Sequence, residues 1–206
     1  IKAPSNFTIG DVVLVYTGAA HAPTPDVWSG ETLLTKDTDY SLSIVSGVNA
    51  GEEVRVTVVG MGDYHGVQEK VFIIVPAVIT ITPDAKTKVY GAADPELTYA
   101  DVEAVVEGET PVITGALSRE EGENAGNYAF ILDDLFLADG DGDNAFLAAN
   151  YTLALATYEA PADAPIFEIT PATITITPNA GQSKVYGAVD PELTYTSTGA
   201  IVGETP

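Results

Sequence analysis

Ala77-Val78-Ile79-Thr80-Ile81-Thr82-Pro83 returns with one change as Ala172-Thr173-Ile174-Thr175-Ile176-Thr177-Pro178, an offset of 172 − 77 = 95 residues. Isoleucine and threonine alternate in both runs, and a period of two puts the isoleucines on one face of a strand. One residue is then inserted, and the copying resumes. Lys88-Val89-Tyr90-Gly91-Ala92 matches Lys184-Val185-Tyr186-Gly187-Ala188, and Asp94-Pro95-Glu96-Leu97-Thr98-Tyr99 matches Asp190-Pro191-Glu192-Leu193-Thr194-Tyr195. A repeat of this length signals an array of small domains rather than a solenoid.

Pro76-Ala77 and Pro171-Ala172 occupy equivalent junctions, which divides the chain into modules at residues 1–76, 77–171 and 172–206. A junction this short, with a proline fixing φ, leaves little slack between neighbours. The third module ends at Glu204-Thr205-Pro206, the counterpart of Glu109-Thr110-Pro111, so about 171 − 111 = 60 residues of its repeat are expected beyond it. Its apolar strand face is expected to seek a neighbouring repeat of the same protein or another copy of the chain.

Composition agrees with an all-β fold. Of 206 residues 46% are hydrophobic, which is enough to build cores, and 19 Gly and 13 Pro punctuate short runs of β-branched residues. Strands are expected at Asp11 to Tyr16, Tyr40 to Val45, Glu53 to Val59 and Glu69 to Val75. In the second module they are expected at Val78 to Thr82, Val112 to Leu117, Asn127 to Leu132, Tyr151 to Tyr158 and Ile166 to Thr170, with an extended loop from Glu159 to Pro165. Asp94-Pro95-Glu96 offers the cap, first-turn proline and early acid of a helical turn, although Leu97-Thr98-Tyr99 behind it favours a strand.

Thirty acidic residues against eight basic ones give a net charge of −22, which repels phosphate backbones and anionic headgroups. Nucleic acid is therefore not an expected partner. No apolar run approaches the roughly 18 residues of a membrane span. The chain has no Cys, which removes thiol catalysis, thiolate metal sites and disulfides.

Several runs resemble the MBG domain, a tandem repeat of large bacterial surface and adhesin-like proteins. They are Ile79-Thr80-Ile81-Thr82-Pro83, Lys88-Val89-Tyr90-Gly91, Asp94-Pro95-Glu96-Leu97-Thr98-Tyr99, Leu117-Ser118-Arg119-Glu120, Gly122-Glu123-Asn124-Ala125-Gly126-Asn127-Tyr128 and Asn150-Tyr151-Thr152-Leu153. Tyr16-Thr17-Gly18, Asp39-Tyr40, Asn49-Ala50-Gly51, Asp63-Tyr64 and Phe72-Ile73 make the first module similar to an Ig-like repeat of bacterial cell-surface proteins. The resemblance implies tandem small β-domains, either Ig-like sandwiches or, for the MBG-type module, a β-grasp-like sheet. It also implies a secreted or cell-surface spacer, the stalk of an adhesin, with no catalytic residues to carry over. A glycan- or protein-binding module and an accessory domain of a secreted enzyme are the alternatives.

The residues themselves offer few sites. His21 and His65 lack the spacing of a metal site, and no nucleophile elbow or phosphate-binding loop is present. No cofactor is expected, with calcium as the one candidate ion. Asp139-Gly140-Asp141-Gly142-Asp143-Asn144 begins like a calcium loop, and Asp139, Asp141, Asp143 and Asn144 are its candidate ligands. The pattern then departs from an EF-hand at Asn144 and Asn150. Eleven acids and no base lie between Arg119 and Lys184, a field that attracts cations. Lys88 and Lys184 are expected to be exposed, with a Lys to Asn crosslink as the chemical alternative. Trp28, Tyr16 and Tyr40 are expected in the core, with a sugar-stacking platform as the alternative.

Overall fold

The computed structural model describes residues 6–103, 105–141, 145–158, 164–201 and 203. Among them the fold is all-β, with a single 3-10 turn at Ala148–Asn150 and no α-helix. The strands begin with β1 (Phe7–Ile9), β2 (Leu14–Val15), β3 (Val27–Ser29), β4 (Thr32–Leu33), β5 (Tyr40–Val45), β6 (Glu53–Gly60), β7 (Val67–Val75) and β8 (Ala77–Ile81). They continue with β9 (Lys86–Val89), β10 (Val112–Thr114), β11 (Ser118–Arg119), β12 (Gly126–Tyr128), β13 (Phe130–Ile131) and β14 (Phe136–Ala138). The last four are β15 (Tyr151–Leu155), β16 (Phe167–Thr170), β17 (Thr175–Pro178) and β18 (Tyr195–Thr198).

Two compact units partition the chain. The first takes residues 1–81, 101–115 and 134–156; the second takes 82–100, 116–133 and 157–206. In the first unit a four-stranded sheet runs β2-β7-β6-β5 and a three-stranded sheet runs β1-β3-β4. Alternation fixes what each strand buries. Val54, Val56 and Val58 of β6 are fully buried while Arg55 faces out, and on β7 Phe72 and Ile74 point in while Val71, Ile73 and Val75 stay exposed. Phe7, Ile9 and Val27 from the smaller sheet join the same core. So do Ala77, Ile79, Phe146 and Tyr151, with Val106, Val112 and Leu137 packed against it.

β8 enters this core through a parallel pairing with β15, from Tyr151↔Ala77 to Leu155↔Ile81. The Ala156 N–H makes a last bond to Ile81 O, and β15 ends at Leu155, short of the expected Tyr158. Asp11 to Tyr16 likewise contracts to Leu14–Val15. β1, β3 and β4, two or three residues each, were not foreseen.

The second unit is built on a three-stranded sheet in the order β12-β16-β9, where β16 pairs in parallel with β9 and antiparallel with β12. Among the described residues its buried apolar side chains are few: Pro83, Leu117, Phe130, Phe167 and Ile169. β17 and β18 form an exposed antiparallel pair. The helical turn at Asp94-Pro95-Glu96 does not form, and Tyr99 makes only an isolated bridge to Pro83. The Asp94 carboxylate that would cap such a turn is committed to Lys88 and Arg119. Of the expected 159–165 loop, residues 159–163 lie outside the described residues.

The burial contrast within β6 predicts mutational costs. Val56→Ala removes two methyl groups from a fully buried site and is expected to lower the stability of the first unit by about 2 kcal/mol. Val59→Ala, at a side chain 40% exposed on the same strand, is expected to change it by less than about 0.5 kcal/mol. Equilibrium denaturation of the two variants checks the pair.

Candidate functional site

In the second unit β9 carries Lys88, β11 carries Arg119, and the loops after them carry Asp94 and Glu123. Lys88 Nζ lies 2.5 Å from Asp94 Oδ1 and 2.5 Å from Glu123 Oε2. Arg119 donates from Nε to Asp94 Oδ2 at 2.7 Å and from Nη2 to Asp94 Oδ1 and Glu123 Oε1. Its Nη1 donates to the carbonyls of Glu120 and Gly122. All five guanidinium N–H groups are thus used, which a planar fork permits and an ammonium would not. The guanidinium also lies over the rings of Phe167, at 4.6 Å, and Tyr128, at 5.1 Å.

Lys88 was expected to be exposed; it is 6% exposed. Two cations and two anions compensate one another, so a lysine can be buried in a unit with little apolar core. The carboxylates hold the Lys88 ammonium above its ordinary range, Asp94 first and Glu123 second. Arg119 is the main cause that Asp94 stays ionised below its ordinary range, and Lys88 is the main cause for Glu123. A protonated amine has no lone pair, and an ionised carboxylate is a poor acyl donor, so this ion-paired state disfavours an amide bond between Lys88 and either acid. The four ion-paired side chains tie the loops after β9 and β11 to the sheet. An open cleft of about 450 Å³ lies over it, lined by Asp94, Leu97, Leu117, Arg119, Glu120 and Glu123 among others.

The first unit holds a second polar constellation. Glu109, 8% exposed, accepts a hydrogen bond from Tyr16 Oη on Oε1 at 2.5 Å and from Tyr151 Oη on Oε2 at 2.7 Å. The two rings meet edge to face at 5.3 Å, and Phe146 stacks on Tyr151 at 4.7 Å. Beside them the buried Asn150 accepts the N–H of Ala50 at 2.8 Å and donates to Asn49 Oδ1 at 3.1 Å. Burial first, and the Glu109 carboxylate second, push the Tyr16 phenol up to about 12 and raise Tyr151 as well.

Glu109 was not singled out, since nothing local distinguishes it among thirty acids. Its signal was the recurrence of Gly108-Glu109-Thr110-Pro111 as Gly203-Glu204-Thr205-Pro206. Among the calcium candidates, Asp139 and Asp141 are exposed, and Asp139 Oδ1 accepts the N–H of Ala148 at 2.9 Å. Asp143 and Asn144 lie outside the described residues. Among the described residues no three His, Cys, Asp or Glu are placed to hold a metal. Tyr16 and Tyr40 are buried and Trp28 is half-buried in β3, opposite Thr8 and Leu33. Lys184 pairs with Asp190, as Lys88 does with Asp94. No helix among the described residues is long and apolar enough to cross a membrane.

Both constellations make stability depend on pH. The buried phenols stay protonated to higher pH in the folded chain than in the unfolded one. The unfolded chain therefore loses its protons first above pH 10, and stability falls towards pH 12. Asp94 and Glu123 act at the other end: their contribution is complete above their ordinary values of 3.8 and 4.5 and is lost as pH falls below them. Tyr16→Phe leaves Glu109 Oε1 short of a donor and is expected to cost roughly 1–3 kcal/mol near neutrality. Denaturation midpoints from pH 8 to 12 should decline less steeply in that variant than in the wild type.

No curated protein and no solved structure matches the chain. The MBG domain of YGX type matches residues 79–158 and again residues 174–206. The first match contains Tyr90-Gly91-Ala92, Lys88, Asp94, Arg119, Glu123, Glu109 and Tyr151, and the second contains Tyr186-Gly187-Ala188, Lys184 and Asp190. With more than half its length so matched, the chain belongs to the MBG domain family of YGX type, a repeat of surface proteins.

Proposed function

We propose that this chain is an extracellular, non-catalytic spacer segment of a bacterial surface protein, built to carry tension along its length. The observation that carries this reading is the parallel pairing of early strands with late ones in the MBG repeat: β8 with β15 and β9 with β16. Tension enters the repeat ahead of β8 and leaves it after β16. Two parallel strands pulled from opposite ends are loaded in shear, so their hydrogen bonds resist together instead of parting one at a time. An antiparallel hairpin pulled at its open end unzips bond by bond. The net charge of −22 adds mutual repulsion between chains crowded on a surface.

Neighbouring segments also share cores, which supports the spacer reading. Val106, Phe146 and Tyr151, from the first MBG match, pack with Leu14, Tyr16 and Ile74, which precede it. Load passing between segments then crosses packed side chains as well as the backbone.

Single-molecule force spectroscopy tests this, and the absence of native Cys lets cysteine handles be placed without ambiguity. Pulling from the two chain ends is expected to need markedly higher force than pulling between Asp39→Cys and Met61→Cys. The second pair loads the β5–β6 hairpin at its open end, where Tyr40 pairs with Gly60. Equal, low forces in both geometries would contradict a tension-bearing role.

A further inference from the structure

Two corners of the chain are built alike. β2 runs parallel to β7, and Tyr16 just after it donates its N–H to Val75 O at 2.9 Å. β9 runs parallel to β16, and Tyr90 just after it donates its N–H to Thr170 O at 2.8 Å. Each tyrosine is followed by a left-handed glycine, Gly18 at φ +74 and Gly91 at φ +82. Each glycine has an apolar side chain from further along the chain pressed against it. A Cβ on Gly18 would lie 2.6 Å from Val106 Cγ1, and a Cβ on Gly91 would lie 2.5 Å from Ile201 Cδ1.

Val106 and Ile201 are the same position of the repeat, 201 − 106 = 95 residues apart, the offset that also relates Gly108 to Gly203. The first contact lies wholly within the first unit and the second wholly within the second. Tyr90 and Ile201 also line one apolar cavity of about 320 Å³, with Pro171, Ala172 and Ile174. In both cases the glycine is required for two reasons, since a side chain there would be strained at positive φ and would displace the incoming residue.

The turn of this corner occurs a third time, after Val185. Gly187 has φ +83, and Ala188 donates to Val185 O at 3.0 Å just as Ala92 donates to Val89 O at 3.0 Å. The Lys184–Asp190 pair repeats the Lys88–Asp94 pair. Here, among the described residues, a Cβ on the glycine would meet no atom within 4 Å, and Tyr186 is fully exposed, with Val185 and Val189 exposed beside it. The turn of the corner thus has its left-handed glycine and its closing hydrogen bond with no side chain among the described residues seated on it.

We propose that the tyrosine-glycine corner is a socket for the loop of the following repeat, and that Tyr186–Gly187 takes the Val/Ile-x-Gly-Glu loop of a further MBG repeat. Of the spacer reading it borrows only the supposition that further repeats exist. A chain that bears tension without this socket, or has the socket without bearing tension, would separate the two.

Hydroxyl-radical footprinting read by mass spectrometry on Tyr16, Tyr90 and Tyr186 tests it. In the protein as it stands, Tyr186 is expected to react several-fold faster than Tyr16 or Tyr90. Ile201→Asp, and from the other side Gly91→Val, should raise the rate at Tyr90 and leave Tyr16 unchanged. Lengthening the chain after Pro206 by a second copy of residues 112–206 completes the third repeat and supplies the next loop. Tyr186 should then fall to the rate of Tyr90, and Asp at the copied Ile201 should restore its exposure. Should both point variants fail to fold, the comparison of the two lengths decides alone. Tyr186 equally reactive in the lengthened protein, or Tyr90 unmoved in folded variants, would overturn the proposal.

Discussion

The parallel pairing of an early strand with a late one is the constraint on which the rest depends. Parallel neighbours need a long connection between them, so everything from β2 to β7, or from β9 to β16, must be folded in between. They also leave the sheet at the same end. Tyr16 therefore sits beside Val75, the residue from which the chain passes through Pro76 into β8, and Tyr90 sits beside Thr170, from which it passes through Pro171. Whatever follows β7 or β16 begins next to a tyrosine-glycine corner. Packing of that corner against the next segment is a consequence of strand direction and needs no separate recognition device.

The two units stabilise themselves in different ways. The first has two sheets whose alternating side chains fill one apolar core, which takes in the polar side chains of Glu109, Tyr16, Tyr151 and Asn150. The second has few buried apolar residues, and its loops are held by Lys88, Asp94, Arg119 and Glu123. Surface ion pairs contribute little, but Arg119 is almost wholly buried, uses every donor and covers Phe167. In a chain so acidic, placing two of eight basic residues together is itself informative: the carboxylates they meet are the ones that must be held in place.

What the sequence made legible was whatever depends on local pattern. The alternation of Val54, Val56 and Val58 announced β6 and its buried face, and the threonine-isoleucine run announced β8. Strands of two or three residues, such as Phe7–Ile9 and Val27–Ser29, carry too few alternations to be seen, and their partners fix them. Lys88 looked like any surface lysine because Glu123, one of its two anions, is 35 residues away. Glu109 was hidden for the same reason, with Tyr16 at a separation of 93 and Tyr151 at 42. The repeat was the one long-range signal in the sequence, and it aligns Val106 with Ile201, the two residues that press against Gly18 and Gly91.

In the proposed socket, successive segments meet at the same corner by the same contact. Nuclear Overhauser spectroscopy on methyl-labelled protein measures this most directly. Cross-peaks are expected from a Val106 γ-methyl to the Gly18 α-protons and from the Ile201 δ-methyl to the Gly91 α-protons, in one folded sample. A spectrum with strong cross-peaks within β6 and β7 but none at Gly18 or Gly91 would contradict it.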